Sequence, residues 1–380
     1  MTDEAVLDDS TALAERDPGQ LLRAMATSGA QVREAVLGMG DADVAAVVAD
    51  GRPRSILVTG MGGSGIAGDV LAAVLSATSP VPVSAQRGYR LPGWVGPMDL
   101  VVAVSCSGTT EETLAAADEA LRRGARLVTV GRPGSPLAER AAGGHALHVP
   151  VDDGGRMPRA NFWALSVPLL ILADALGLAP TPAEVLSDVA DDLDRRSAEC
   201  GPSSPTFDNP AKRVALELAG SVPQIWGASD LTSVVAYRFA CQLAENAKYP
   251  ALHGYIPEAH HNQIVALAGR FGATSPTGGV GDLFRDRVED GPEWPSLRLV
   301  LLRDTDELPQ VARRREATHD LAKEHSVGVT ELVAVGDHPL ARLASLVSTI
   351  DFASVYLAIL NDVDPTPIDP ITELKNRIAQ

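Results

Sequence analysis

The sequence predicts an α/β fold of two subdomains, each a mainly parallel sheet flanked by helices, with an N-terminal helical arm and a C-terminal tail. Three observations carry that expectation. Short β-branched runs end in glycine- or hydroxyl-rich turns, each turn opens a stretch of helical character, and the unit recurs along the chain on both sides of a Pro/Ser-rich joint at Gly201-Pro202-Ser203-Ser204-Pro205. A chain of 380 residues suits two such bodies.

Residues 1–50 read as the helical arm: Asp17-Pro18 is a good helix start, and Leu21, Leu22, Met25, Val32 and Val36 recur at helical spacing. The first subdomain, 51–195, opens with the strand Ser55-Ile56-Leu57-Val58-Thr59, a glycine turn and a helix from Ile66 to Leu75. Leu100 to Val104 repeats the pattern, followed by Ser105-Cys106-Ser107-Gly108-Thr109-Thr110 and a helix from Glu111 to Arg123. Further strands are expected at Arg126–Val130 and Ala146–Val149, and a mostly buried helix over 160–178. The second subdomain, 206–362, is expected to hold strands near Gln224–Gly227, Gln263–Ala266 and Leu297–Leu302 and helices at 231–247, 309–326 and 341–360. The Gly-rich stretch 269–294 reads as a surface loop, and residues 363–380 as a tail ending in a short basic helix.

Composition narrows the class of partner. A formal net charge of −17 opposes nucleic-acid backbones and anionic lipid surfaces. No uninterrupted apolar run has the length a bilayer span needs, and the acidic start MTDEAVLDDS lacks the basic flank of an export signal. The three cysteines, Cys106, Cys200 and Cys241, are far apart, so neither a disulfide framework nor a CxxC metal knuckle is present. A cytoplasmic protein without bound metal is the expectation.

Two loops carry chemistry. Gly60-Met61-Gly62-Gly63-Ser64-Gly65 satisfies the dinucleotide pattern GxGxxG between a strand and a helix. The next strand, Val81 to Arg87, ends without the acidic residue that would bind a ribose, which favours a substrate loop or a structural turn over a NAD site. In the second loop Ser105, Ser107, Thr109 and Thr110 cluster at the start of a helix, where hydroxyls and free N–H groups suit a phosphate. Neutral donors fixed by the backbone bind an anion despite the acidic exterior. The alternative is that one hydroxyl merely caps the helix.

With Gly60 to Asp69 and Ser105 to Thr113, three further stretches complete a pattern: Met157-Pro158-Arg159-Ala160, Glu245 to Pro250 with Pro257 to Asn262, and Asp351 to Lys375. Together they resemble the sugar-isomerase (SIS) superfamily, and within it the bifunctional phosphoglucose/phosphomannose isomerase family. The resemblance implies two SIS-type subdomains and interconversion of glucose 6-phosphate and mannose 6-phosphate with fructose 6-phosphate, with no metal or redox cofactor. It implies that Gly63, Ser64, Ser105, Ser107 and Thr110 bind the substrate, that Glu245 is the catalytic base, that Arg159 faces the enediolate and that Lys375 assists. It also implies a homodimer in which His261 opens the sugar ring from the neighbouring subunit.

Thr109 stands where relatives commonly carry asparagine, and His260 sits beside the expected histidine. Adjacent histidines point in different directions, so a shared metal is not expected. Without the resemblance, Glu245 reads equally as a surface residue paired with Lys248, Arg159 as a bond to helix carbonyls and Lys375 as a tail charge. Two other functions fit the phosphate loop: a non-catalytic sugar-phosphate sensor, which retention of Glu245, Arg159 and His261 argues against, and an isomerase of another phosphosugar. Preference between the glucose and mannose epimers is not written in these motifs.

Overall fold

The structure is a computed structural model that describes residues 4–40, 42, 44–269, 271–272 and 295–378. The surface loop expected at 269–294 lies almost wholly outside the described residues. Contacts divide the chain into two compact units: Ala26–Arg195 with His338–Ala341, and Met1–Met25 with Arg196–Asp337 and Arg342–Gln380.

The first unit is built on a five-stranded parallel sheet, β1 (Ile56–Thr59), β2 (Val83–Gln86), β3 (Leu100–Ser105), β4 (Arg126–Gly131) and β5 (Leu147–Pro150), in the order β2-β1-β3-β4-β5. Every residue of β1 and β3 is buried, so these strands are apolar up to their final Thr59 and Ser105 instead of alternating, as a sheet covered on both faces requires. On one face Leu57, Val101, Ala103 and Leu127 meet Ala116, Ala117 and Ala120 of the helix Glu111–Arg122, whose small side chains let it lie close to the sheet. The helix Gly63–Leu75 approaches closely as well: a side-chain carbon at Gly68 would fall 2.8 Å from Cβ of Val58. The helix expected over 160–178 runs Phe162–Ala175 and is buried almost all round.

In the second unit four parallel strands, β6 (Ser221–Gly227), β7 (Leu252–Tyr255), β8 (Ser296–Arg303) and β9 (Gly328–Val333), follow the order β7-β6-β8-β9. This is the order of the first four strands of the other sheet, so the two units repeat one winding. The N-terminal helices of residues 4–25 belong to this unit. There the Asp17 carboxylate accepts from the N–H groups of Leu21 (2.8 Å) and Leu22 (2.9 Å), so the helix starts at Leu21, after the Asp-Pro turn.

One expected strand is corrected. Gln263–Ala268 is a 3₁₀ helix, and the strand at this edge is β7, a few residues earlier. The β-branched pair Ile264-Val265 suggested a strand, but the Asn262 side chain accepts from the N–H of Gln263 (2.7 Å) and starts a turn. The Gln263 side chain then accepts from Trp226 Nε1 (2.7 Å) and donates to the His253 carbonyl (3.2 Å), which fixes the segment over β6 and β7.

The helix Asp230–Asn246 is held in phase by a ladder of buried polar groups one turn apart. Arg238 forks onto Asp351 (2.9 and 2.6 Å), Gln242 donates to the same carboxylate (3.1 Å), and Asn246 donates to Ser354 (2.8 Å). Their partners lie on Pro339–Leu360, the helix among the described residues long and apolar enough to cross a membrane; 94% of its apolar window is buried within the protein. Removing one partner of a buried ion pair strands the other charge. Asp351→Ala is therefore expected to lower unfolding stability by about 3–5 kcal/mol in urea titrations, and a loss under about 1 kcal/mol would contradict a buried, mutually dependent pair.

Candidate active site

β1 and β3 are neighbours, and the chain leaves them in opposite directions: β1 is followed by β2 at the edge, β3 by β4 on the far side. Ligands of open parallel sheets sit at the carboxyl ends of strands at such a reversal. Here two helices begin side by side. Gly62 is the N-cap of Gly63–Leu75 and Thr110 that of Glu111–Arg122, and neither helix receives a side-chain cap. Ser135, Asn209 and Ser229 do cap their helices, whereas Phe162–Ala175 and Pro309–Glu324 also start without a side-chain cap. The N–H groups of Ser64 and Gly65 turn back onto the Met61 and Gly62 carbonyls, so the positive ends of two helix dipoles, with the first-turn N–H groups of the Glu111 helix, are what face an anion.

The hydroxyls bind one another around these ends. Ser105 Oγ lies 2.9 Å from Thr110 Oγ1 and accepts from the N–H of Gly108 (3.1 Å), and Ser107 Oγ lies 3.0 Å from Thr109 Oγ1. Ser64 Oγ accepts from the N–H of Cys106 (3.3 Å), which ties the loop after β1 to the loop after β3. Thr110 therefore spends its hydroxyl on Ser105, and the reading in which one hydroxyl serves as helix cap does not hold. Ser64 and Ser105 are buried, Ser107 and Thr110 half-buried and Thr109 exposed.

Glycines set the shape. Gly108 has φ +68°, and a Cβ there would fall 2.0 Å from Ser135 Oγ, a clash added to a backbone conformation that side chains disfavour. Gly60 leaves room for the Val104 carbonyl, 2.9 Å from where its Cβ would be. In the GxGxxG loop the glycines therefore serve close backbone approach beside the cradle.

Arg159, 4% exposed, stands in the 3₁₀ turn Pro158–Ala160. A Cβ at Gly63 would lie 3.5 Å from the Pro158 carbonyl oxygen and 3.8 Å from Cα of Arg159, so this turn abuts the start of the Gly63 helix. Sequence reasoning missed the neighbours that hold the turn's approach. Arg132, just beyond β4, pairs with Asp153, and Arg156 donates from Nε to Asn161 Oδ1 (2.8 Å). Burial, with Asp153 nearby, pushes the Cys106 thiol up, so it stays protonated at neutral pH and is no nucleophile.

The first unit thus brings together Gly63, Ser64, Ser105, Ser107, Thr110 and Arg159, while Glu245, His261 and Lys375 belong to the second. Glu245 is half-buried in the last turn of Asp230–Asn246, one residue before the ladder's Asn246. Lys248 Nζ donates to the carbonyls of Glu245 (3.1 Å), Asn246 (3.2 Å) and Asp364 (2.8 Å), closing the helix end and joining it to the tail.

His260 and His261 separate by environment. His260 packs edge-on against Trp226 and lies 2.7 Å from Thr318 Oγ1; burial, with Arg314 and His261, holds its pKa down, so it is neutral at pH 7. His261 is exposed. Lys375 sits on Asp369–Ile378, a helix with no buried residue.

The corresponding reversal in the second sheet, between β6 and β8, is closed by the protein itself. Ser229 caps its own helix and donates to the buried Asp304 (2.8 Å), whose other oxygen pairs with Arg342 (2.8 Å). A carboxylate stands there, and the Thr232 N–H is taken by Ser229. Among the described residues no cluster of His, Cys, Asp and Glu could hold a metal ion.

Comparison with known proteins agrees with this division. Residues 52–178 match the SIS domain, and residues 207–378 match the bacterial phospho-glucose isomerase C-terminal SIS domain. A bifunctional phosphoglucose/phosphomannose isomerase of Caldicellulosiruptor bescii is 35% identical over 327 residues, covering 86% of this chain and 89% of that protein. The chain belongs to the bifunctional phosphoglucose/phosphomannose isomerase family. The family member of Thermoplasma acidophilum is 29% identical over 86% of this chain and 90% of its own length. The fold also matches the C-terminal domain of glucosamine-fructose-6-phosphate aminotransferase from Francisella tularensis, with a TM-score of 0.66 at 16% identity over 91% of this chain and 97% of that one.

If the cradle depends on the Gly108 turn, Gly108→Ala raises the inhibition constant of inorganic phosphate roughly tenfold or more, the scale expected when oriented donors are displaced by about an ångström. Competition assays at constant ionic strength measure it, and an unchanged constant would place phosphate elsewhere.

Proposed function

We propose that this protein interconverts glucose 6-phosphate and mannose 6-phosphate with fructose 6-phosphate through a cis-enediolate, without metal or redox cofactor. The observation that supports the reading most is the pair of adjoining helix N-termini, both lacking side-chain caps, whose loops are tied by Ser64 and Cys106 and lined by the bonded hydroxyls of Ser105 and Thr110 beside the buried Arg159.

The substrate phosphate is held by first-turn N–H groups together with the hydroxyls of Ser64, Ser105, Ser107 and Thr110. Glu245 removes the proton from C2 of the open-chain aldose and returns it to C1, while the aldehyde oxygen O1 gains a proton and the O2 hydroxyl loses its own to become the ketone. Arg159 remains charged and stabilises the negative charge on the enediolate oxygens. His261, exposed on its own chain, exchanges the ring-opening proton from a neighbouring copy in a homodimer. Lys375, on the exposed terminal helix, assists ring opening. The two epimers at C2 give one enediolate, so both aldoses use the same groups.

Purified enzyme in EDTA is expected to convert both aldose 6-phosphates and to carry solvent deuterium into product, and loss of activity on chelation would redirect the chemistry to a metal. Glu245→Gln is expected to abolish turnover while keeping sugar-phosphate binding by calorimetry. Mixing Glu245→Gln with His261→Ala protein tests the shared site: recovery of activity toward a quarter of wild type is expected, and no recovery would place His261 within its own chain's site.

A further inference from the structure

The turn carrying Arg159 is gripped by two amide side chains that have no exposed surface. Gln31, on the helix Ser28–Gly40, donates from Nε2 to the Ala160 carbonyl (2.8 Å) and to Thr27 Oγ1 (3.1 Å), and accepts at Oε1 from the N–H of Ala164 (3.3 Å). Asn161 accepts from Arg156, and its Nδ2 lies 3.4 Å from the Arg156 and Met157 carbonyls and 3.7 Å from Cys106 Sγ in the phosphate loop. Both residues are 0% exposed.

The grip is specific. Within the turn the Ala160 N–H donates to Met157 and the Asn161 N–H to Pro158, while the first bond of the following helix is accepted by Asn161. The Ala160 carbonyl stands between turn and helix, and Gln31 supplies its donor from an element over a hundred residues away in sequence. A buried amide is costly unless both ends are satisfied, and an apolar residue would fill the space equally well. What the amide adds is orientation: one side chain fixes the residue after Arg159 and the first turn of the next helix together. Asn161 links the same turn to the phosphate loop.

We propose that Gln31, supported by Asn161, is a positioning residue for Arg159, fixing the guanidinium relative to the phosphate cradle so that it meets the charge that develops during the proton transfer. This rests on the role given above to Arg159. Misplacing a charged group by about an ångström costs up to a hundredfold in rate, whereas anchoring of the phosphate is left intact. The signature is a fall in kcat with little change in KM.

The test is a double-mutant cycle of Gln31→Met, Arg159→Ala and the two combined, with kcat and KM for fructose 6-phosphate and Tm measured on each protein. Gln31→Met is expected to lower kcat about tenfold or more with KM changed less than about threefold, and Arg159→Ala to lower kcat further. The double variant is expected to be no slower than Arg159→Ala, because Gln31 acts through a side chain already removed. A Gln31 penalty that multiplies in full in the Arg159→Ala background, or an unchanged kcat in Gln31→Met, overturns the proposal. An Arg159→Ala enzyme of normal kcat instead removes the reading on which it rests. Should Gln31→Met not fold, Asn161→Ser goes through the same cycle under the same criteria.

Discussion

Holding a dianionic phosphate on a chain of net charge −17 calls for donors that carry no compensating acid of their own. In the proposed site this is met at the place where the first sheet reverses direction. Two helices start side by side at the ends of β1 and β3, and their N-caps, Gly62 and Thr110, make no side-chain cap bond. Backbone N–H groups and hydroxyls are neutral and their positions are set by the fold, so their attraction for phosphate is local and survives the acidic exterior. The glycines and Ser64 hold the two loops in register, and Arg159 joins them from the turn that abuts Gly63.

The second unit shows what the same winding does when the anion comes from within. Its strands follow the same order, but Ser229 caps the helix and the buried Asp304, paired with Arg342, stands at the reversal. At this place the first copy carries a hydroxyl-rich loop, while the second sets a carboxylate of its own. The second unit offers instead a half-buried carboxylate, Glu245, whose helix is locked in phase by Arg238, Gln242 and Asn246. In its proposed role as general base, Glu245 needs a fixed direction more than exposure, and three bonded positions, one turn apart on one helix face, supply it.

Much of this was legible in the sequence because it rests on local chemistry. Apolar runs followed by glycine or hydroxyl turns announce β1 and β3 with their helices, and Ser105 to Thr110 announce the cradle. Periodicity failed where tertiary bonds decide. Ile264-Val265 looks like a strand, yet Asn262 and Gln263 turn it into a 3₁₀ helix; Leu252 to Tyr255 forms an edge strand with little apolar pattern to announce it. Gln31, Asn161 and Arg132 were invisible for a different reason: each is a single polar residue whose partner is distant in the chain, and no spacing rule marks it. The paired histidines show the same limit, since only the packing of His260 on Trp226 and Thr318 tells it from the exposed His261.

The central claim is that neutral, backbone-fixed donors at the β1/β3 reversal hold the substrate phosphate. A crystal structure with fructose 6-phosphate bound tests it most directly. The account predicts phosphate oxygens within hydrogen-bonding distance of N–H groups in the first turns after Gly62 and Thr110 and of the hydroxyls of Ser64, Ser105, Ser107 and Thr110. A phosphate held instead by lysine or arginine side chains away from those two helix ends would contradict it.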